Sequence, residues 1–100
     1  MIKHIVMWTL KDFAEGNDKK ENAKKIKESL EALKNEISVI KFIEVGINNN
    51  DSNVYDVVLN SEFETMEDLD IYQKHPAHVK AGGFVKLVTE SRACVDYNMN

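Results

Sequence analysis

One hundred residues with a net charge of −4, 43% hydrophobic and 30% charged, leave room for one modest core and give an ordinary globular composition. The acidic balance, with Lys19-Lys20 and Lys24-Lys25 interleaved with Glu21 and Glu28, argues against the clustered cations of a nucleic-acid surface. No run approaches the roughly 18 apolar residues of a membrane span. The start lacks a signal-peptide core, and the lone Cys94 cannot close an internal disulfide. The expectation is a single domain over residues 1–100, cytoplasmic, with neither nucleic acid nor membrane as partner.

Ile2 to Leu10 reads as a strand in which His4, Val6, Trp8 and Leu10 share one parity while Ile5 and Met7 take the other, so both faces look buried. Lys11 to Asp18 is a polar connection, and Asp18 with Glu21 three residues later marks a helix start. Ala23, Ile26, Leu30, Leu33 and Ile37 then recur at spacings of three and four, one apolar stripe on a helix. A second strand is predicted over Val39 to Val45, ending at Gly46. The Asn48–Asn53 cluster is a turn, since Asn and Asp bond their own backbone. Val54 to Phe63 is the third strand. Thr65 opens a second helix, with Leu69 and Tyr72 on one side. Pro76 breaks that helix, Gly82-Gly83 interrupts it again, and Ala93 to Tyr97 closes the chain as a fourth strand.

The order strand, helix, strand, strand, helix, strand is that of the ferredoxin-like βαββαβ unit, an α+β fold with an antiparallel four-stranded sheet and helices on one face. Such a sheet ordinarily keeps its second face polar. Here strands one and two carry apolar residues on both parities, and a second copy of the same sheet is the simplest cover.

Tyr72-Gln73-Lys74-His75-Pro76-Ala77-His78 concentrates the chemistry. The residue before a proline leaves the helical region, and proline is favoured at a first helical position, so His75 caps a new turn beginning at Pro76. His78 in that first turn is held neutral by the positive helix end. A neutral imidazole beside a phenol makes an acid/base pair: His78 as base at a carbon next to a carbonyl, Tyr72 supporting the oxyanion. Activity of that kind rises through the histidine range and holds until tyrosine ionises near pH 10. The competing reading has both side chains pinning the helix break by bonding freed backbone groups. No metal site is expected, because three histidines and one cysteine show no zinc spacing. No cofactor is expected either, as Gly82-Gly83 is no phosphate loop. Cys94 reads as a small core residue.

The opening His4-Ile5-Val6, the Tyr72…His75-Pro76-Ala77-His78 segment and the closing Val95-Asp96-Tyr97 together resemble the stress-responsive A/B barrel domain (Dabb) family, across nearly the whole chain. The resemblance implies a dimeric α+β barrel, a homodimer through the sheet face. Its characterised plant branch, olivetolic acid cyclase, closes a linear polyketide by aldol condensation with a tyrosine and a histidine in this segment. Those correspond to Tyr72 and His78, with His4 near the pocket. Trp8, Ile26, Leu30 and His75 are expected around it. The departure is on the first helix, where the cyclase has aromatic residues and this chain has Ala23, Ile26 and Leu30. Three readings follow: a domain binding a small carbonyl or aromatic compound, a cofactor-independent aldol-type enzyme, and, by fold analogy alone, a monooxygenase-like protein.

Overall fold

The computed structural model describes all residues 1–100. It runs β1 (Ile2–Leu10), β2 (Phe13–Ala14), β3 (Asn17–Asp18), α1 (Lys19–Glu31), β4 (Phe42–Ile47), β5 (Val57–Phe63), α2 (Met66–Lys74), α3 (Pro76–Val88) and β6 (Thr89–Asn98). Alternation decides which side of the sheet faces the core. His4, Val6, Trp8 and Leu10 of β1 are buried, as are Val57, Leu59, Ser61 and Phe63 of β5. These strands pair antiparallel at the centre of a sheet ordered β4-β5-β1-β6, every neighbour antiparallel, the ferredoxin-like arrangement.

The polar connection after β1 holds a two-residue hairpin, β2 on β3. Its turn residues Glu15 (φ 50°) and Gly16 (φ 80°) are both left-handed, as a tight hairpin of this twist requires. Asp18 caps α1 by accepting the Glu21 N–H at 2.9 Å. All five residues of the expected apolar stripe are buried, although the α-helix stops at Glu31 and Leu33 lies in a 3₁₀ turn, Ala32–Asn35.

Strand boundaries move. The second strand starts at Phe42, not Val39, because the chain is still turning: the Ile37 N–H bonds Leu33 O and the Ile40 N–H bonds Ile37 O. It also continues through Gly46, which pairs with Val58 where an added Cβ would stand 3.1 Å from that side chain. The third strand begins at Val57, leaving Val54 in the loop and 76% exposed. β6 begins four residues before Ala93, because β1 is long enough to pair with it from Ile2 to Leu10.

As the outer strand of its side, β4 has unpaired backbone groups, and α1 covers two of them. Lys27 Nζ donates to Val45 O at 2.6 Å, and Glu31 Oε2 accepts the Val45 N–H at 3.0 Å. Burial raises the Glu31 carboxyl, but Lys27 and the Val45 N–H outweigh it and hold the group below its ordinary range.

Gly82-Gly83 does not interrupt α3. Val85 and Val88 are buried on its inner side, and that burial outweighs the weak helix propensity of two glycines.

All three helices pack on one side of the sheet. On the other side, Ile5 lies opposite Val95 and Met7 opposite Ala93 and Val58. Ile5, Met7 and Val58 are only half-buried, and Val95 and Tyr97 are exposed. The second face therefore carries an apolar patch uncovered by this chain, bordered by the Lys3–Glu62 ion pair and the Thr9–Ser91 hydrogen bond.

Candidate functional site

Two helices meeting at a proline build the site. Thr65 caps α2 through the Asp68 N–H at 3.1 Å, which sets the turn that buries Leu69 and Tyr72. His75 leaves the helical region (φ −62°, ψ 136°), and Pro76 starts α3. The new turn is capped by His75 itself, whose Nδ1 accepts the Ala77 N–H at 3.0 Å.

The break and its cap have a consequence two residues before His75. In a continuous helix the Ala77 N–H would bond the Gln73 carbonyl. Here it is diverted to His75, and the Gln73 carbonyl instead meets His78 Nδ1 at 3.0 Å. A carbonyl only accepts, so Nδ1 carries the proton and Nε2 keeps its lone pair. Burial pushes the His78 pKa below its ordinary 6.5, and nearby His4 and Arg92 add to this against the opposing Gln73 carbonyl. His78 is thus a neutral base with a defined basic nitrogen.

Tyr72 and His78 pack ring against ring without a hydrogen bond, their centroids 4.5 Å apart and their planes tilted at 56°. Tyr72 also leans on Phe63 at 4.9 Å and His4 at 6.3 Å. Its residue is fully buried, and its hydroxyl has no hydrogen-bond partner within the protein. Burial raises its pKa to about 12, so it is a hydrogen-bond donor throughout the neutral range.

Both side chains line a cavity of about 540 Å³ between the sheet and the helices. Of the residues expected around it, His4, Trp8 and Leu30 line it with Tyr72 and His78; Ile26 and His75 do not. Ile26 is fully buried in the core beneath α1, and the ring of His75 is spent on its cap. Sequence reasoning passed over Lys86, Glu90 and Arg92, which also line the cavity. Their signal was their position around the expected last strand, whose true start at Thr89 brings them there.

Asp96 stands in the closing Val95-Asp96-Tyr97 of the chain. Cross-strand register sets it opposite His4, and its Oδ1 lies 2.5 Å from His4 Nδ1. That nitrogen donates to the carboxylate, which leaves His4 Nε2 as the free ring atom. Cys94, expected in the core, is exposed on β6 with its sulfur 3.8 Å from His4 Nδ1. Burial, then the Asp96 carboxylate, raise its thiol pKa. His4, Cys94 and Asp96 are metal-capable donors within 4.8 Å of one another. The His4–Asp96 contact, however, is a hydrogen bond, tighter than the spacing of roughly 3 Å or more between two ligands on one zinc ion.

A family model described as Stress responsive A/B Barrel Domain matches residues 2–99. A solved structure from Bacteroides fragilis, described as a dimeric protein of unknown function with a ferredoxin-like fold, is 43% identical with a TM-score of 0.90, covering 98% of this chain and 95% of that one. A dimeric ferredoxin-like protein of unknown function from Thermobifida fusca is similar at 20% identity and TM-score 0.82, over 98% and 90% of the two chains. A hydroxynitrile lyase from Passiflora edulis shares the fold at 16% identity and TM-score 0.81, over 99% and 93%. No curated protein matches the chain.

Proposed function

The chain belongs to the stress-responsive A/B barrel domain family, and on that premise we propose that it binds a small carbonyl compound in the cavity, with the carbonyl oxygen on the Tyr72 hydroxyl. The observation that carries this is the orphaned hydroxyl: a buried donor without a partner costs about 1–3 kcal/mol, and a ligand oxygen removes that deficit. The walls suit an apolar body, with Val6, Trp8, Leu30, Leu59 and Val85 around it.

The second reading, turnover, is favoured by the fixed protonation of His78. Nε2 takes a proton from the carbon beside the carbonyl, the C–H electrons move onto the carbonyl oxygen, and Tyr72 donates to the enolate that forms. The same proton returns from Nε2 to whatever the enolate carbon has attacked. This is the aldol-type chemistry implied by the resemblance to the olivetolic acid cyclase branch. The missing aromatic wall on α1 supports a different substrate. The monooxygenase alternative rests on fold likeness alone.

The protein acts as a homodimer through the open sheet face. The uncovered apolar patch on the second face supports this, as do the dimeric descriptions of the Bacteroides fragilis and Thermobifida fusca proteins.

The test is to screen aryl and alkyl ketones for binding and to follow each hit for conversion. Under turnover, His78→Gln and Tyr72→Phe each lower the rate by about 10²-fold or more, and the double variant is little worse than the poorer single one. A hit that binds in the cavity and is never transformed leaves the binding reading and removes the enzymatic one. Failure of every carbonyl compound to bind would remove both.

A further inference from the structure

The cavity has a polar rim that the acid/base chemistry does not use. Lys86 comes from the last turn of α3 and Arg92 from β6, where it sits opposite Trp8 of β1. Each is a surface cation facing the cavity that holds Tyr72 and His78. Neither takes part in any ion pair of the protein. The one anion of the lining, Glu90, is likewise unpaired. Asp96, the nearest other carboxylate on β6, is engaged by His4.

We propose that Lys86 and Arg92 form an anion subsite that selects carbonyl compounds bearing a carboxylate, so that the ligand is an apolar oxo-carboxylate held at both ends. Resting on the carbonyl reading above, it gives the ligand a second anchor. The ketone oxygen lies on the buried Tyr72 hydroxyl, the apolar body lies along Trp8 and Leu59, and the carboxylate reaches the rim. Against Glu90, the two cations leave one net positive charge among the lining side chains, with the Asp96 carboxylate nearby on β6, which matches a monoanion better than a dianionic phosphate. The planar guanidinium of Arg92 also fits a carboxylate through two parallel hydrogen bonds. A cavity of about 540 Å³ has room for all three parts of such a molecule.

The test compares 4-oxo-4-phenylbutanoate with its methyl ester, two ligands that differ by one charge and one methyl group, by calorimetry or ligand-observed NMR. The acid should bind on the order of tenfold tighter than the ester, because charge-assisted hydrogen bonds are the stronger kind. That preference should shrink as salt rises, since the rim is exposed to solvent. In a double variant, Lys86→Gln with Arg92→Gln, acid and ester should bind within about twofold of each other, the acid having lost its advantage. Arg92→Lys should keep part of the preference. Tyr72→Phe should weaken acid and ester alike, which separates the two proposals. Equal binding of acid and ester to the natural protein, with Tyr72→Phe weakening both, overturns the anion subsite and leaves the carbonyl reading standing. A preference for the acid that survives in the double variant also overturns it. Binding of neither compound contradicts the carbonyl reading and this one with it.

Discussion

The Tyr72 and His78 rings lie 4.5 Å apart although Pro76 separates their helices. In one unbroken helix, residues six apart would point about 120° away from each other around the axis. The break turns both side chains into one cavity, and the freed Gln73 carbonyl fixes which nitrogen of His78 is basic.

The tautomer of His78 therefore depends on Pro76, which never touches the cavity. His75→Ala should cost about 1 kcal/mol as a lost helix cap. Residue 75 still precedes Pro76 and stays extended, so the Gln73 carbonyl remains free for His78 Nδ1. Nitrogen-15 shifts of His78 should show the Nδ1–H form in this variant as in the natural protein, and mixed tautomers in Pro76→Ala. Mixed tautomers in His75→Ala would mean that the cap, rather than the proline, controls the ring.

Stability should bend at both ends of the pH scale, for opposite reasons. The Tyr72 pKa rises from 10.0 to about 12, so above pH 10 the unfolded chain gives up a proton that the folded one keeps. Folding then loses stability as pH climbs through that window. The His78 pKa falls below 6.5, so on acidification the unfolded chain takes up the proton first, and stability present above pH 6.5 is lost as pH drops. Denaturation midpoints across pH should lose the alkaline bend in Tyr72→Phe and the acid bend in His78→Gln. An alkaline bend of equal size in Tyr72→Phe would count against burial as its origin. For any activity, the plateau should extend past the ordinary tyrosine limit near pH 10, because the buried hydroxyl keeps its proton.

The glycine pair in α3 gives a separation of stability from function. An added Cβ meets nothing within 4 Å at either position. Gly83→Ala, on the exposed side, should stabilise the protein by about 0.5–1 kcal/mol and leave ligand binding alone. Gly82→Ala should stabilise similarly but weaken binding, since Gly82 lines the cavity. Equal ligand affinity in both variants would show that the cavity wall does not extend to Gly82.

Assembly through the open sheet face predicts twice the chain mass in solution and a buried area above about 1,000 Å². Val95→Asp, opposite Ile5 on that face, should give monomers or insoluble protein, because a charge would be buried unpaired. A Val95→Asp dimer of natural stability, by sedimentation, would place the interface elsewhere.

Much of this was legible in the residues. The strand character of β1, the α1 stripe, and the Asp18, Thr65 and His75 caps follow from side-chain chemistry local to each segment, whereas the second face of β1, read as buried, is only half-buried within this chain. Local turn bonds delayed the second strand to Phe42, whereas at the glycines tertiary context decided against local propensity. Gly46 and Gly82-Gly83 read as stops, yet ladder pairing with Val58 and burial of Val85 and Val88 carried the strand and the helix through them. The site divided in the same way. Tyr72 and His78 stood in one short segment around a proline. Asp96 beside His4, and Lys86 and Arg92 on the rim, depended on the register of β6 against β1, which no local pattern encodes.

The proposed hydrogen bond from the Tyr72 hydroxyl to a ligand carbonyl has a direct spectroscopic test. Infrared difference spectra of a bound ketone carrying a carbon-13 carbonyl should show its stretch at lower wavenumber in the natural protein than in Tyr72→Phe, since a hydrogen bond from a buried donor weakens the C=O bond. The same shift should persist in His78→Gln, which leaves the donor in place. An identical carbonyl frequency in the natural protein and Tyr72→Phe, with ligand bound in both, would contradict the account.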